Sequence, residues 1–82
     1  MDETRLKRIR FRAWRRGFRE ADLILGPFAD RHVSEMTAEE LDRFETLLEQ
    51  GDHDIYDWIL GAPAPAEFDN DILARLRAAT GA

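Results

Sequence analysis

Residues 14–20 read Trp14-Arg15-Arg16-Gly17-Phe18-Arg19-Glu20. Cationic side chains, one glycine and one carboxylate are crowded together there, with two aromatics beside them. Were the stretch helical, Arg16, Gly17 and Glu20 would share a face, because positions three and four apart are neighbours on a helix. A glycine inside a helix costs roughly 1 kcal/mol relative to alanine. Gly17 therefore marks either a chain reversal that needs a positive φ or a surface where another backbone comes close.

Working outward, the segment before it reads as a first helix over about residues 3–15, with Leu6, Ile9, Ala13 and Trp14 on one apolar stripe. Thr4 or Asp2 stands where a cap would, and Gly17 where a helix C-terminal glycine would. A second helix starts near Phe18, with Ala21, Ile24, Leu25, Phe28 and Ala29 inward. Gly26-Pro27 interrupts it, since proline removes a helical hydrogen bond and restricts the preceding residue. The apolar phase continues across the interruption, which favours one kinked helix to about residue 32 over two short ones.

After a connector at 33–36, Thr37-Ala38-Glu39-Glu40 has the form of a capping box. It opens a third helix over about 38–50, with Leu41, Phe44, Leu47 and Leu48 inward and Gly51 as its C-terminal glycine. Asp52 is placed to cap a fourth helix over about 53–60, which buries Ile55, Trp58 and Ile59 and ends at Gly61. Beyond the stiff Ala62-Pro63-Ala64-Pro65 stretch, a fifth runs over about 67–79 with Phe68, Ile72, Leu73 and Leu76 inward. No run alternates with the period of a strand. The expectation is an all-α fold, one five-helix domain spanning residues 1–82.

A chain of 82 residues buries only about 60% of the surface its unfolded form exposes. One modest core is possible. There is no cysteine, so disulfides and thiolate metal sites are out of reach. No apolar run approaches a membrane span, and the N-terminal segment lacks the apolar centre of a secretory signal. The reading is of mature protein, and the lack of cysteine fits a reducing compartment. The net charge of −5 conceals an asymmetry. Residues 1–20 carry eight Lys/Arg against three acids, a net +5, while the remainder carries four against fourteen, a net −10. Such a surface suits an acidic partner at its basic end.

Nucleophilic catalysis needs a Ser, Thr or Cys beside a base, and Ser34 and Thr46 have no such neighbour in sequence. His32 and His53 read as surface or cap residues. The paired acids Glu39/Glu40, Asp52/Asp54 and Asp69/Asp71 fall at helix starts, where the dipole explains them. The 52–57 stretch lacks the glycine and glutamate of a calcium loop, and no glycine-rich phosphate cradle occurs. No catalytic, cofactor-binding or metal residue is assigned. The arginines of the first helix could meet phosphates, but the acidic remainder would repel a duplex, so nucleic acid is not expected as a partner. Arg12, Arg15, Arg16, Gly17, Arg19, Glu20 and Tyr56 form the candidate partner-binding set, with Arg16 and Glu20 exposed at the junction. Trp14 reads as core, with partial exposure beside that face as the alternative.

Two blocks carry a resemblance. Arg16-Gly17-Phe18-Arg19-Glu20 followed by Asp22-Leu23-Ile24-Leu25 and Phe28 is the first; Phe44-Glu45-x-Leu47-Leu48-Glu49 with Asp52-x-Asp54-Ile55-Tyr56-x-Trp58 is the second. In that order and spacing they resemble the FAD assembly factor family, the bacterial SdhE proteins and mitochondrial succinate dehydrogenase assembly factor 2. Arg16, Gly17 and Glu20 match its Arg-Gly-x-x-Glu motif, while Arg15 and Phe18 stand at positions expected to vary. The resemblance implies a five-helix chaperone that binds the flavoprotein subunit of succinate dehydrogenase, or of fumarate reductase. It would promote covalent attachment of FAD to a histidine of that client and hold no flavin stably itself. Without the resemblance, the same asymmetry would describe a helical interaction module unrelated to flavin.

Overall fold

The computed structural model describes residues 3–80. Five helices follow one another: α1 Glu3–Trp14, α2 Arg19–His32, α3 Ala38–Leu48, α4 Asp52–Ile59 and α5 Asp71–Ala79. A 3₁₀ turn, Val33–Glu35, joins α2 to α3. Helix α2 is central and touches α1, α4 and α5, while α3 leans on α1 and α5. The core takes Leu6, Ile9 and Ala13 from α1, Ala21, Leu25, Phe28 and Ala29 from α2, and Phe44 and its neighbours from α3. Ile55 and Ile59 of α4 and Ile72, Leu73 and Leu76 of α5 close it. These are the apolar positions of each helical period, because only such a stripe leaves the charged residues in water. Val33 and Met36 of the connector are buried too.

Helix α2 is continuous through Pro27. Proline leaves the Leu23 carbonyl without its helical donor, but Leu23 and Pro27 are both exposed, so solvent can supply it. Gly26 has a different reason. A side chain there would overlap the six-membered ring of Trp14, which lies flat against α2. The Trp14 indole Nε1 donates to Asp30 Oδ2 at 3.1 Å. Trp14 is 38% exposed, so its apolar body is spent on tying α1 to α2 rather than on the core.

The capping box at Thr37 is present: Thr37 Oγ1 accepts from the Glu40 amide at 3.2 Å and Glu40 Oε1 from the Thr37 amide at 2.9 Å. Several sequence expectations are corrected. Gly51 is not a left-handed C-terminal residue; at φ −64°, ψ 143° it is the extended residue that opens α4, and Asp52 is the first helical residue rather than the cap. Helix α3 closes earlier, with the Gln50 amide donating to the Leu47 carbonyl. Helix α5 starts at Asp71, not near 67, because the Pro65 carbonyl captures the Phe68 and Asp69 amides in a turn. Asn70 Oδ1 then takes the Ile72 and Leu73 amides as the cap. Trp58 is half-buried rather than core, stacked on Phe68 at a centroid distance of 5.3 Å. Asp2, a candidate cap of α1, lies outside the described residues.

Candidate functional site

The junction between α1 and α2 occupies residues 15–18. Gly17 sits there at φ +82°, a left-handed conformation that only glycine adopts without strain, with no protein atom near the place a Cβ would take. Gly17 therefore reverses the chain, and its backbone is left uncovered by other protein atoms. Glu20 and Arg19, in the first turn of α2, are exposed. Neither of them, nor Arg12, enters an ion pair with another described residue. The Arg15 guanidinium lies 5.1 Å from the centre of the exposed Phe11 ring.

Arg16 departs from expectation. It does not face solvent: its side chain is 9% exposed. Its Nε donates to Asp52 Oδ1 at 2.8 Å and its Nη2 to the Gln50 carbonyl at 3.0 Å. The Arg16 amide donates to Asp22 Oδ1 at 2.7 Å. The reason is local supply and demand. The α3–α4 corner presents a free carbonyl at Gln50 and a carboxylate at Asp52, and a planar guanidinium with several donors satisfies both at once. Asp52 and Asp22 are absent from the sequence-derived site. Asp52 does fall in the second of the two blocks, but nothing in its spacing points to Arg16.

On the other flank of Gly17, the Phe18 ring packs against both His53 and Tyr56, at centroid distances of 4.5 Å and 5.2 Å. Phe18 is also the extended residue that opens α2. Tyr56 is thus brought to the junction from α4. The two sequence blocks are one place in space: the first supplies the turn, and the second grips it at Arg16 and at Phe18. Alongside, an open groove of about 870 Å³ runs over α2, lined by Trp14, Leu23, Pro27, Leu60 and others. Leu23 and Leu60 are more than half exposed, at 57% and 53%.

Among the described residues no group of three His, Asp or Glu converges as a metal site. Among the same residues, no helix is long and apolar enough to cross a membrane.

Known proteins share this arrangement of sequence. A family model described as "Flavinator of succinate dehydrogenase" matches residues 7–80. The FAD assembly factor SdhE of Acetobacter pasteurianus is 40% identical over 74 residues, covering 89% of this chain and 68% of the relative. The mitochondrial succinate dehydrogenase assembly factor 2 of Candida glabrata is 39% identical over 82 residues, covering 94% of this chain and 53% of the relative. That of Dictyostelium discoideum is 38% identical over 68 residues, 82% of this chain and 48% of the relative. The chain spans about half the length of these mitochondrial relatives. A match over this much of the chain, carrying the junction and the helix that grips it, establishes that the protein belongs to the family of flavinators of succinate dehydrogenase.

Proposed function

We propose that this protein is an assembly factor that binds the flavoprotein subunit of succinate dehydrogenase, and of fumarate reductase, and promotes its covalent flavinylation. It acts in the cytoplasm as a monomer and as a chaperone, not as an enzyme. FAD is the client's group, joined to the client's histidine. The observation that carries this reading is the family match over residues 7–80. The geometry supports it. Gly17 offers backbone free of any side chain, and Glu20 stands beside it as an exposed acceptor for client donors. The groove along α2, whose exposed Leu23 and Leu60 lie beside Asp30 and Arg31, adds the kind of surface that marks protein contacts. What such a docked chaperone supplies is orientation of the client's flavin and histidine rather than acid or base groups.

The test combines purified client subunit, FAD and this protein, and reads covalent flavin by in-gel fluorescence. Gly17→Arg and Glu20→Ala, each checked for a native circular dichroism spectrum, should slow flavinylation by about tenfold or more at limiting factor, as loss of an interface hot spot does. Full flavinylation with both folded variants would remove the role from this junction. Failure of the native protein itself to stimulate flavin attachment would favour an interaction module unrelated to flavin.

A further inference from the structure

We infer that Asp52 and Asp22 are positioning residues of the Gly17 turn, and that Arg16 of the Arg-Gly-x-x-Glu motif holds the turn from within the molecule instead of contacting the client. The inference rests on the reading of that turn as the docking site. Its basis is geometric. The Arg16 guanidinium is turned inward, with its Nε on Asp52 and its Nη2 on the Gln50 carbonyl. A carboxylate acceptor at 2.8 Å from a guanidinium nitrogen is at the length of a charge-assisted bond. The residue's own amide is held at 2.7 Å by Asp22, from the first turn of α2. Phe18, the residue after Gly17, is gripped by the rings of His53 and Tyr56. Gly17 is therefore clamped on both sides while its own surroundings stay open.

A glycine turn with open space around it would ordinarily sample many conformations, and binding would have to select one. Anchoring both neighbours to α4 and α2 removes that cost before the client arrives, which is how preorganisation raises affinity. The motif's arginine and its glutamate then have different tasks. Arg16 sets the shape of the turn, and Glu20 faces outward.

The experiment measures flavinylation of the purified flavoprotein subunit against factor concentration for Asp52→Ala, Asp22→Ala, Arg16→Gln and the double variant Arg16→Gln/Asp52→Ala. In the free variants, the Gly17 amide resonance is followed by NMR. Expected is an increase of about tenfold in the concentration for half-maximal flavinylation, with the end level recovered at saturating factor, the loss that follows from a charged hydrogen bond. The double variant should be no worse than Arg16→Gln alone, because the Arg16–Asp52 contact that Asp52→Ala removes is already lost there. The Gly17 resonance should shift and broaden in Asp52→Ala and Asp22→Ala while the core amides of Phe44 and Leu73 stay in place. Losses that multiply in the double variant, with Arg16→Gln much the more severe, would mean that Arg16 meets the client and would overturn the inference. So would an unmoved Gly17 amide in both aspartate variants. The NMR signature needs no client, so it separates failure of the latch from failure of the docking site, which Gly17→Arg reads. Asp22→Ala acts from a different helix and keeps the test open should Asp52→Ala not fold.

Discussion

Gly26 carries no side chain because the Trp14 ring lies where one would be. Gly17 carries none because its φ is +82°. The two glycines are alike in sequence and opposite in cause: the first is crowded by a fixed side chain, the second stands in open space. Gly26→Ala should therefore cost about 1–3 kcal/mol, the usual range for overpacking. For a domain of this size that lowers the midpoint of a thermal melt by several degrees, roughly 4–8 °C per kcal/mol. Tryptophan fluorescence should shift red as the indole is pushed off α2. If Gly26→Ala melts with the native protein, the close packing of Trp14 on α2 is wrong. From sequence alone Gly26 looked like half of a helix break with Pro27. The chain itself contains no sign that a ring twelve positions earlier would need the space.

Helix ends divide into those decided by neighbouring residues and those decided across the fold. Thr37 and Glu40 satisfy each other's amides within one turn, so the start of α3 is legible in four residues. The cap of α5 is also local, at Asn70, yet the apolar phase of Phe68 with Ile72 drew the expected start too early. Phe68 is buried from a turn, not from the helix. Asn70→Ala should cost about 1 kcal/mol and raise the hydrogen exchange of the Ile72 and Leu73 amides, whereas those in α3 stay protected. Unchanged exchange at both amides would remove the cap. The end of α4 belongs to the second kind. Arg77 of α5 donates from Nε to the Trp58 carbonyl at 2.9 Å and from Nη2 to the Ala62 carbonyl at 3.0 Å. It adds a second donor to the Trp58 carbonyl, which also accepts from the Gly61 amide, and ties down the Ala62 carbonyl in the loop beyond the helix.

At the scale of the molecule, the charge asymmetry is partly consumed inside the fold. Arg5 of basic α1 reaches Asp42 and Glu45 of acidic α3, each at 2.6 Å. Arg43 of α3 grips Asp71 with two bonds, at 2.9 and 3.0 Å, and Arg75 of α5 meets Glu40 at 2.8 Å. The Arg43 hydrogen bonds hold the Asp71 carboxyl below its ordinary 3.8. The Thr37 amide, helped by the Thr37 side chain and then by the Arg75 charge, holds Glu40 below its ordinary 4.5. A depressed carboxyl pKa stabilises the folded state above the unfolded value, and that contribution is lost as pH falls through the folded one. Stability should thus begin to fall below about pH 4.5 and continue through and below 3.8. Asp71→Asn should be less stable than the native protein at pH 7 and converge with it in acid; parallel curves down to pH 2 would deny the Arg43–Asp71 pair its part. What the sequence by itself determined is the set of five helices, the aliphatic part of their inward faces, the Thr37 cap and the break at Gly17. Each is written in residues within a turn or two of one another, where helical periodicity and capping chemistry act. Only the tertiary structure decided that Arg16 faces inward, that Gly26 yields to Trp14 and that Tyr56 stands beside Phe18. Arg16 and Asp52 are 36 positions apart. Nothing local orients a long, flexible arginine, and its direction is chosen only when the α3–α4 corner arrives with a carboxylate and an unpaired carbonyl to receive it.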